Sequence, residues 1–98
     1  MPWGYKFHPG AARDIFKLSK KNKPLGHAIA TNHIPKILAN PYAEGRKKEG
    51  PLSHVYGYNF TFQGASYRIL YSILKDFVRF LAIGIHDVAY RKAEGRSK

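Results

Sequence analysis

A guanidinium in the middle of an apolar strand needs an anion. Arg68 lies inside Ser66-Tyr67-Arg68-Ile69-Leu70-Tyr71, a run of β-branched, aromatic and aliphatic residues that reads as a sheet strand. A cation among such neighbours is costly without an anionic partner, and the pattern places no carboxylate of this chain beside it. His86 follows two residues after the small Gly84, and Tyr90 follows His86 at helical spacing, so both fall at the Arg68 end of the sheet. A histidine, with an unperturbed pKa of about 6.5, gives or takes a proton near neutral pH. An arginine fork grips anionic oxygens bidentately, and a tyrosine stacks or hydrogen-bonds. Arg68, His86 and Tyr90 are therefore the candidate catalytic set. Each also has a purely structural reading: a local pairing for Arg68, a solvent-facing strand end for His86, and ring packing for Tyr90. His8, His27, His33 and His54 lack metal-ligand spacing, and no metal or other cofactor is expected.

The elements that must position this set follow from periodicity. Tyr5-Lys6-Phe7 predicts a short strand, and Ala11 to Lys21 a helix with Ala11, Ile15 and Leu18 inward. A second helix is predicted over Leu25 to Ala39, burying Leu25, Ile29, Ile34, Ile37 and Leu38 and either kinking or restarting at Pro35. Tyr42 to Ser53, with Arg46, Lys47 and Lys48, reads as a basic loop. Tyr56, Tyr58, Phe60 and Phe62 then alternate with smaller or polar residues as a strand. Turns at Gly64-Ala65 and Lys75-Asp76 predict an antiparallel meander with Tyr67 to Leu74 and Phe77 to Ile85. Two-residue turns there pair Thr61 with Arg68, Phe62 with Tyr67 and Ile69 with Ala82. The face opposite the helices would carry Asn59, Thr61, Arg68, Leu70, Ser72, Arg79 and Ile83. The tail from Asp87 to Lys98 reads as a short helical turn that frays. The expected fold is α+β: an N-terminal strand, two helices, and a three-stranded antiparallel meander packed on them in two layers.

Composition bounds the function. The 98 residues suit one domain, residues 1–98. Seventeen Lys and Arg against six Asp and Glu give a net charge of +11, with a pI near 10.1, a field suited to nucleic acid or an acidic partner. Zero cysteines exclude thiol catalysis and Cys-based metal sites. No apolar run approaches the roughly 18 residues of a membrane span, and MPWGYKFHPG lacks a signal-peptide core. A cytoplasmic protein without membrane partners is expected.

The Tyr67-Arg68-Ile69-Leu70-Tyr71 run resembles the "YRxxY" strand of the RelE/ParE superfamily of prokaryotic toxins. Ile83-Gly84-Ile85-His86-Asp87-Val88-Ala89-Tyr90 is similar to its C-terminal signature, and the Leu38-Ala39-Asn40-Pro41 helix end and the basic loop at Lys47-Lys48 match it in order and spacing. The resemblance runs from Tyr5 to Tyr90. It implies a toxin that is neutralised by a cognate antitoxin and either cleaves messenger RNA in the ribosomal A site or inhibits DNA gyrase without catalysis. For the nuclease it implies Arg68 at the scissile phosphate, His86 at a position held by Arg or His, and Tyr90 as the C-terminal aromatic. RNA binding would fall to Lys47, Lys48, Asn59 and Thr61. By this resemblance Asn59 and Thr61 stand where RelE carries two lysines, so the chain must use another base, such as His86, or be catalytically weak, or belong to a non-nuclease branch. A small basic nucleic-acid-binding protein without toxicity is the third reading.

Overall fold

Residues 3–48 and 54–96 are described from a computed structural model, residues 86–88 by their backbone only. Five strands form one sheet in the order β1-β5-β4-β3-β2: β1 Gly4–Phe7, β2 Arg46–Lys47, β3 Tyr56–Phe62, β4 Ala65–Leu74 and β5 Phe77–Ile85. β1 runs parallel to β5, and the other pairs are antiparallel. The helices are α1 Pro9–Lys21, α2 Lys23–Ala28, α3 Ile34–Ala39, α4 Pro41–Glu44 and α5 His86–Arg96, with a π turn, Ile29–His33, joining α2 to α3.

Local chemistry explains the helix ends. His8 caps α1, its Nδ1 accepting the Gly10 N–H at 2.9 Å, and Pro9 enters where no N–H is needed. Asn22 closes α1 and caps α2 through its side-chain oxygen, which accepts the Leu25 N–H at 3.2 Å. Pro35 forces the expected restart: the Ile34 N–H reaches back to the Ile29 carbonyl, and the π turn sets Pro35 in the first turn of α3. Leu25, Ile29, Ile34, Ile37 and Leu38 are all buried, against Tyr58, Ile69, Tyr71, Val78 and Phe80 of the sheet.

The predicted order of strand, helices and meander stands, with additions and a corrected register. The first hairpin turns at Gln63-Gly64 rather than Gly64-Ala65, with φ of 51° and 80°. A tight turn with positive φ at both central positions accepts glycine there far better than alanine. The turn sets Asn59, not Thr61, opposite Arg68, and Thr61 opposite Ser66. A two-residue shift leaves every side chain on its predicted face. In the second hairpin Ile73 pairs with Val78 and Tyr71 with Phe80 as expected, and then a bulge inserts Leu81, so that Leu70 meets Ala82 and Ile69 meets Ile83. Ile83 consequently joins the helix-packed core, not the Arg68 face, and Gly84 stands opposite Arg68. Part of the basic loop is ordered as α4 and β2, while residues 49–53 lie outside the described residues.

The polar tail is a three-turn helix. α5 covers the second sheet face, where Ala89 and Ala93 bury against Val55, Leu70, Leu81 and Ala82 and Tyr90 packs beside them. The sheet is thus covered on both sides, a third layer beyond the two expected. Asp14 of α1 joins the layers. Its Oδ2 accepts the Ile83 N–H at 3.1 Å and Arg96 Nη1 at 2.8 Å, and its Oδ1 accepts Lys92 Nζ at 2.8 Å. Among the described residues no helix is long and apolar enough to cross a membrane.

Burial of Asp14 alone would raise its pKa, but the hydrogen bonds from Arg96, Lys92 and the Ile83 amide outweigh it and hold the carboxyl below the usual carboxylate value of 3.8. A folded-state pKa below the unfolded one gives stability that is full above about pH 4 and is lost as pH falls through the lowered value. Melting temperatures from pH 6 to pH 2 should therefore show the advantage of the natural chain over Asp14→Asn shrinking on acidification. A constant difference across that range would contradict this linkage.

Candidate functional site

Arg68 lies mid-sheet on β4, between Asn59 of β3 and Gly84 of β5, on the face covered by α5. Its Nη1 donates to the Tyr90 hydroxyl, and its Cζ stands 4.8 Å from the centroid of the same ring. Among the described residues its buried Nε has no hydrogen-bond partner, and no carboxylate pairs with the guanidinium. Lys48 adds a second cation, its Nζ lying 5.1 Å from the Tyr90 ring centroid. The backbone explains how it arrives: the Lys48 N–H donates to the Val55 carbonyl at 2.8 Å, extending the β2–β3 pairing. The bare Cα of Gly57 leaves a track for the lysine stem, because a Cβ there would come within 2.7 Å of Lys48 Cε.

The structure brings together Arg68, Tyr90, Asn59 and Lys48. It separates Lys47, which pairs with Tyr56; that ring stacks on Tyr71 in the opposite layer, so strand alternation sends Lys47 away from Arg68. Thr61 lies farther along β3 and lines, with Asn59, Phe60, Ser66, Tyr67 and Arg68, an open cleft of about 320 Å³. His86 begins α5 two residues beyond Gly84, and its side chain lies outside the described residues. Sequence reasoning overlooked Ser66 and Gly57, the glycine that makes room for Lys48. The signal of Gly57 was present, since glycine inside a strand often marks close approach. The arrangement presents two cations and one phenol with a cleft of mixed polar and aromatic lining alongside, a constellation suited to an anionic, ring-bearing ligand.

Residues 7–94 match the family model for the ParE-like toxin of type II bacterial toxin-antitoxin systems. The chain belongs to this family. No curated protein sequence matches the toxin. Its fold is that of solved RelE toxins. The toxin of the Mycobacterium tuberculosis RelBE2 toxin–antitoxin complex superposes with a TM-score of 0.74 at 20% identity, covering 88% of this chain and 100% of that one. An arginine-to-alanine mutant of Escherichia coli RelE in the free state gives 0.68 at 19% identity, covering 98% of both chains. The intact Escherichia coli RelBE complex gives 0.57 at 19%, covering 87% and 98%.

An arginine kept with an unpaired buried N–H is expected to weaken the fold. Such a group costs about 1–3 kcal/mol, so Arg68→Met, which keeps the apolar stem, should raise unfolding free energy by about 1 kcal/mol in denaturant titration. Loss of stability would instead make Arg68 a structural residue.

Proposed function

We propose that this toxin is a ribosome-dependent endoribonuclease that cleaves messenger RNA in the A site and is held inactive by a cognate antitoxin. The observation that carries the reading is the Arg68 guanidinium beside Lys48 and Tyr90, its Nε without a partner among the described residues, a concentration of positive charge for which the described part of the chain supplies no anion. A phosphodiester fits that requirement. In RNA the adjacent 2′-hydroxyl is the nucleophile: it attacks phosphorus, the 5′-oxygen leaves, and a 2′,3′-cyclic phosphate and a 5′-hydroxyl remain. Arg68 would neutralise the charge that builds on the non-bridging oxygens, where a bidentate fork gains most. Tyr90 would stack on a base or hydrogen-bond the backbone. His86 is the candidate for proton transfer from the 2′-hydroxyl or to the 5′-oxygen. Lys48, Asn59 and Thr61 would hold flanking RNA, with Lys47 adding charge from the other side of its strand. This chemistry carries its own nucleophile and is proposed without a metal or cofactor. Binding on the ribosome would supply alignment, worth on the order of 7–11 kcal/mol at best. Ribosomes and messenger RNA put the site of action in the cytoplasm.

The antitoxin partner is supported by the family and by the toxin–antitoxin complexes among the similar structures. A net charge of +11 suits an acidic partner laid over the Arg68 face. A second reading, inhibition of DNA gyrase by binding alone, is favoured by the neutral Asn59 on the strand beside Arg68 and by the ParE-like family model.

The purified toxin added to a reconstituted translation reaction should produce new messenger 5′ ends in the A site, lost in both Arg68→Ala and His86→Ala. Intact messenger together with inhibited supercoiling by purified gyrase would replace the nuclease reading with the second one.

A further inference from the structure

α5 carries Tyr90 to Arg68, yet the apolar contacts described for it are small. Among its described side chains the fully buried ones are Ala89 and Ala93, and a methyl-sized group contributes only about 0.8 kcal/mol on burial. The same helix places Lys92 and Arg96 on Asp14, which is 4% exposed and belongs to α1. Arg96 Nη1 also donates to the Leu81 carbonyl at 2.8 Å, so one guanidinium ties α5 to α1 and to the bulged stretch of β5. A second, independent feature fits the same purpose. Gly10, one turn before Asp14, lies directly beneath that guanidinium: a Cβ on it would fall 2.3 Å from Arg96 Cζ. Gly10 and Asp14 thus form a seat on α1, one residue clearing the space and the other supplying the charge.

We infer that this seat positions the site: Gly10 and Asp14 hold α5 through Arg96 and Lys92, and so set Tyr90 against Arg68 on the other side of the sheet edge. None of the four touches Arg68 in the hydrogen bonds described, so all four are positioning residues. Their effect on cleavage rests on the nuclease reading, whereas their hold on α5 does not.

Asp14→Ala is a poor probe, because it would also strip the Ile83 amide of its partner. Gly10→Ala is better, since the clash falls on the movable end of Arg96 and leaves the apolar core alone. The 98-residue toxin is compared in four forms: natural, Gly10→Ala, Tyr90→Ala and the double variant. Hydrogen exchange at amides 89–96 and the NMR signal of the Arg68 guanidinium N–H groups are read without RNA; A-site cleavage is read on translating ribosomes. Gly10→Ala should leave the exchange of β3 and β4 unchanged, speed exchange in α5, shift the Arg68 signal, and lower kcat by about tenfold with KM little changed, as a misplacement of an ångström or less can do. In the Tyr90→Ala background it should lower kcat no further. Unchanged α5 exchange and an unshifted Arg68 signal would overturn the inference, as would a loss in the double variant equal to the product of the two single losses. If the natural toxin cuts no messenger, the nuclease reading falls alone, and the exchange and guanidinium signals still decide whether the seat holds the helix.

Discussion

Beyond Phe80, β5 has no strand on its outer side, because β1 ends at Phe7 and its last bond runs from the His8 N–H to the Phe80 carbonyl. Backbone groups left on such an edge must find partners or lose several kcal/mol of hydrogen bonding. Asp14 and Arg96 take those places, one receiving the Ile83 N–H and the other bonding the Leu81 carbonyl. Their own mutual pairing makes the substitution affordable in a buried setting, where a lone carboxylate would be strongly destabilising. One buried ion pair therefore ends the β1 side of the sheet, fixes α1 against β5, and fastens the C-terminal helix over the opposite face.

The Arg68 site inherits its geometry from this arrangement. The bulge at Leu81 turns Ile83 toward the helices and brings Gly84 across from Arg68, so the guanidinium is flanked by a residue without a side chain instead of a branched aliphatic one. On β3 the bare Gly57 leaves room for the stem of Lys48. Two cations then share one tyrosine ring, with a buried guanidinium N–H left without a partner among the described residues. Elsewhere in the core comparable groups are satisfied: the Tyr71 hydroxyl donates to the Pro41 carbonyl at 2.7 Å, and the Tyr58 hydroxyl meets His33 Nδ1 at 2.8 Å. Among the described residues, local rules are obeyed in the scaffold and relaxed at Arg68, where the proposed function calls for an outside anion.

Periodicity made the scaffold legible. The apolar spacing of Leu25, Ile29, Ile34, Ile37 and Leu38 named the buried helix face, and Pro35 announced the break that the π turn supplies. Arg68 and Tyr90 were legible because a charge inside an apolar strand and an aromatic at helical spacing stand out. What escaped depended on contacts remote in sequence. The bulge has no mark in the run from Phe77 to Ile85, since it is stabilised by Asp14 and Arg96 from elsewhere in the chain. α5 was underestimated because the buried stripe of its described residues consists of alanines, which carry little hydropathy, and because its strongest described attachments are charged side chains that read as solvent-facing. β2 is only two residues long and shows no alternation to detect.

The tight turn at Gln63-Gly64 has a consequence for how such a protein can diverge. Because strand pairing is counted from the turn, moving the two-residue turn one position along the chain, to Gly64-Ala65, would slide β3 along β4 by two residues while keeping every side chain on its own face. Asn59 would give way to another α5-side residue of β3 opposite Arg68, with the core face still apolar. The hairpin is thus a dial on the composition of the cleft: the position its tight turn takes along the chain decides the neighbour of the arginine without a single substitution in the strands.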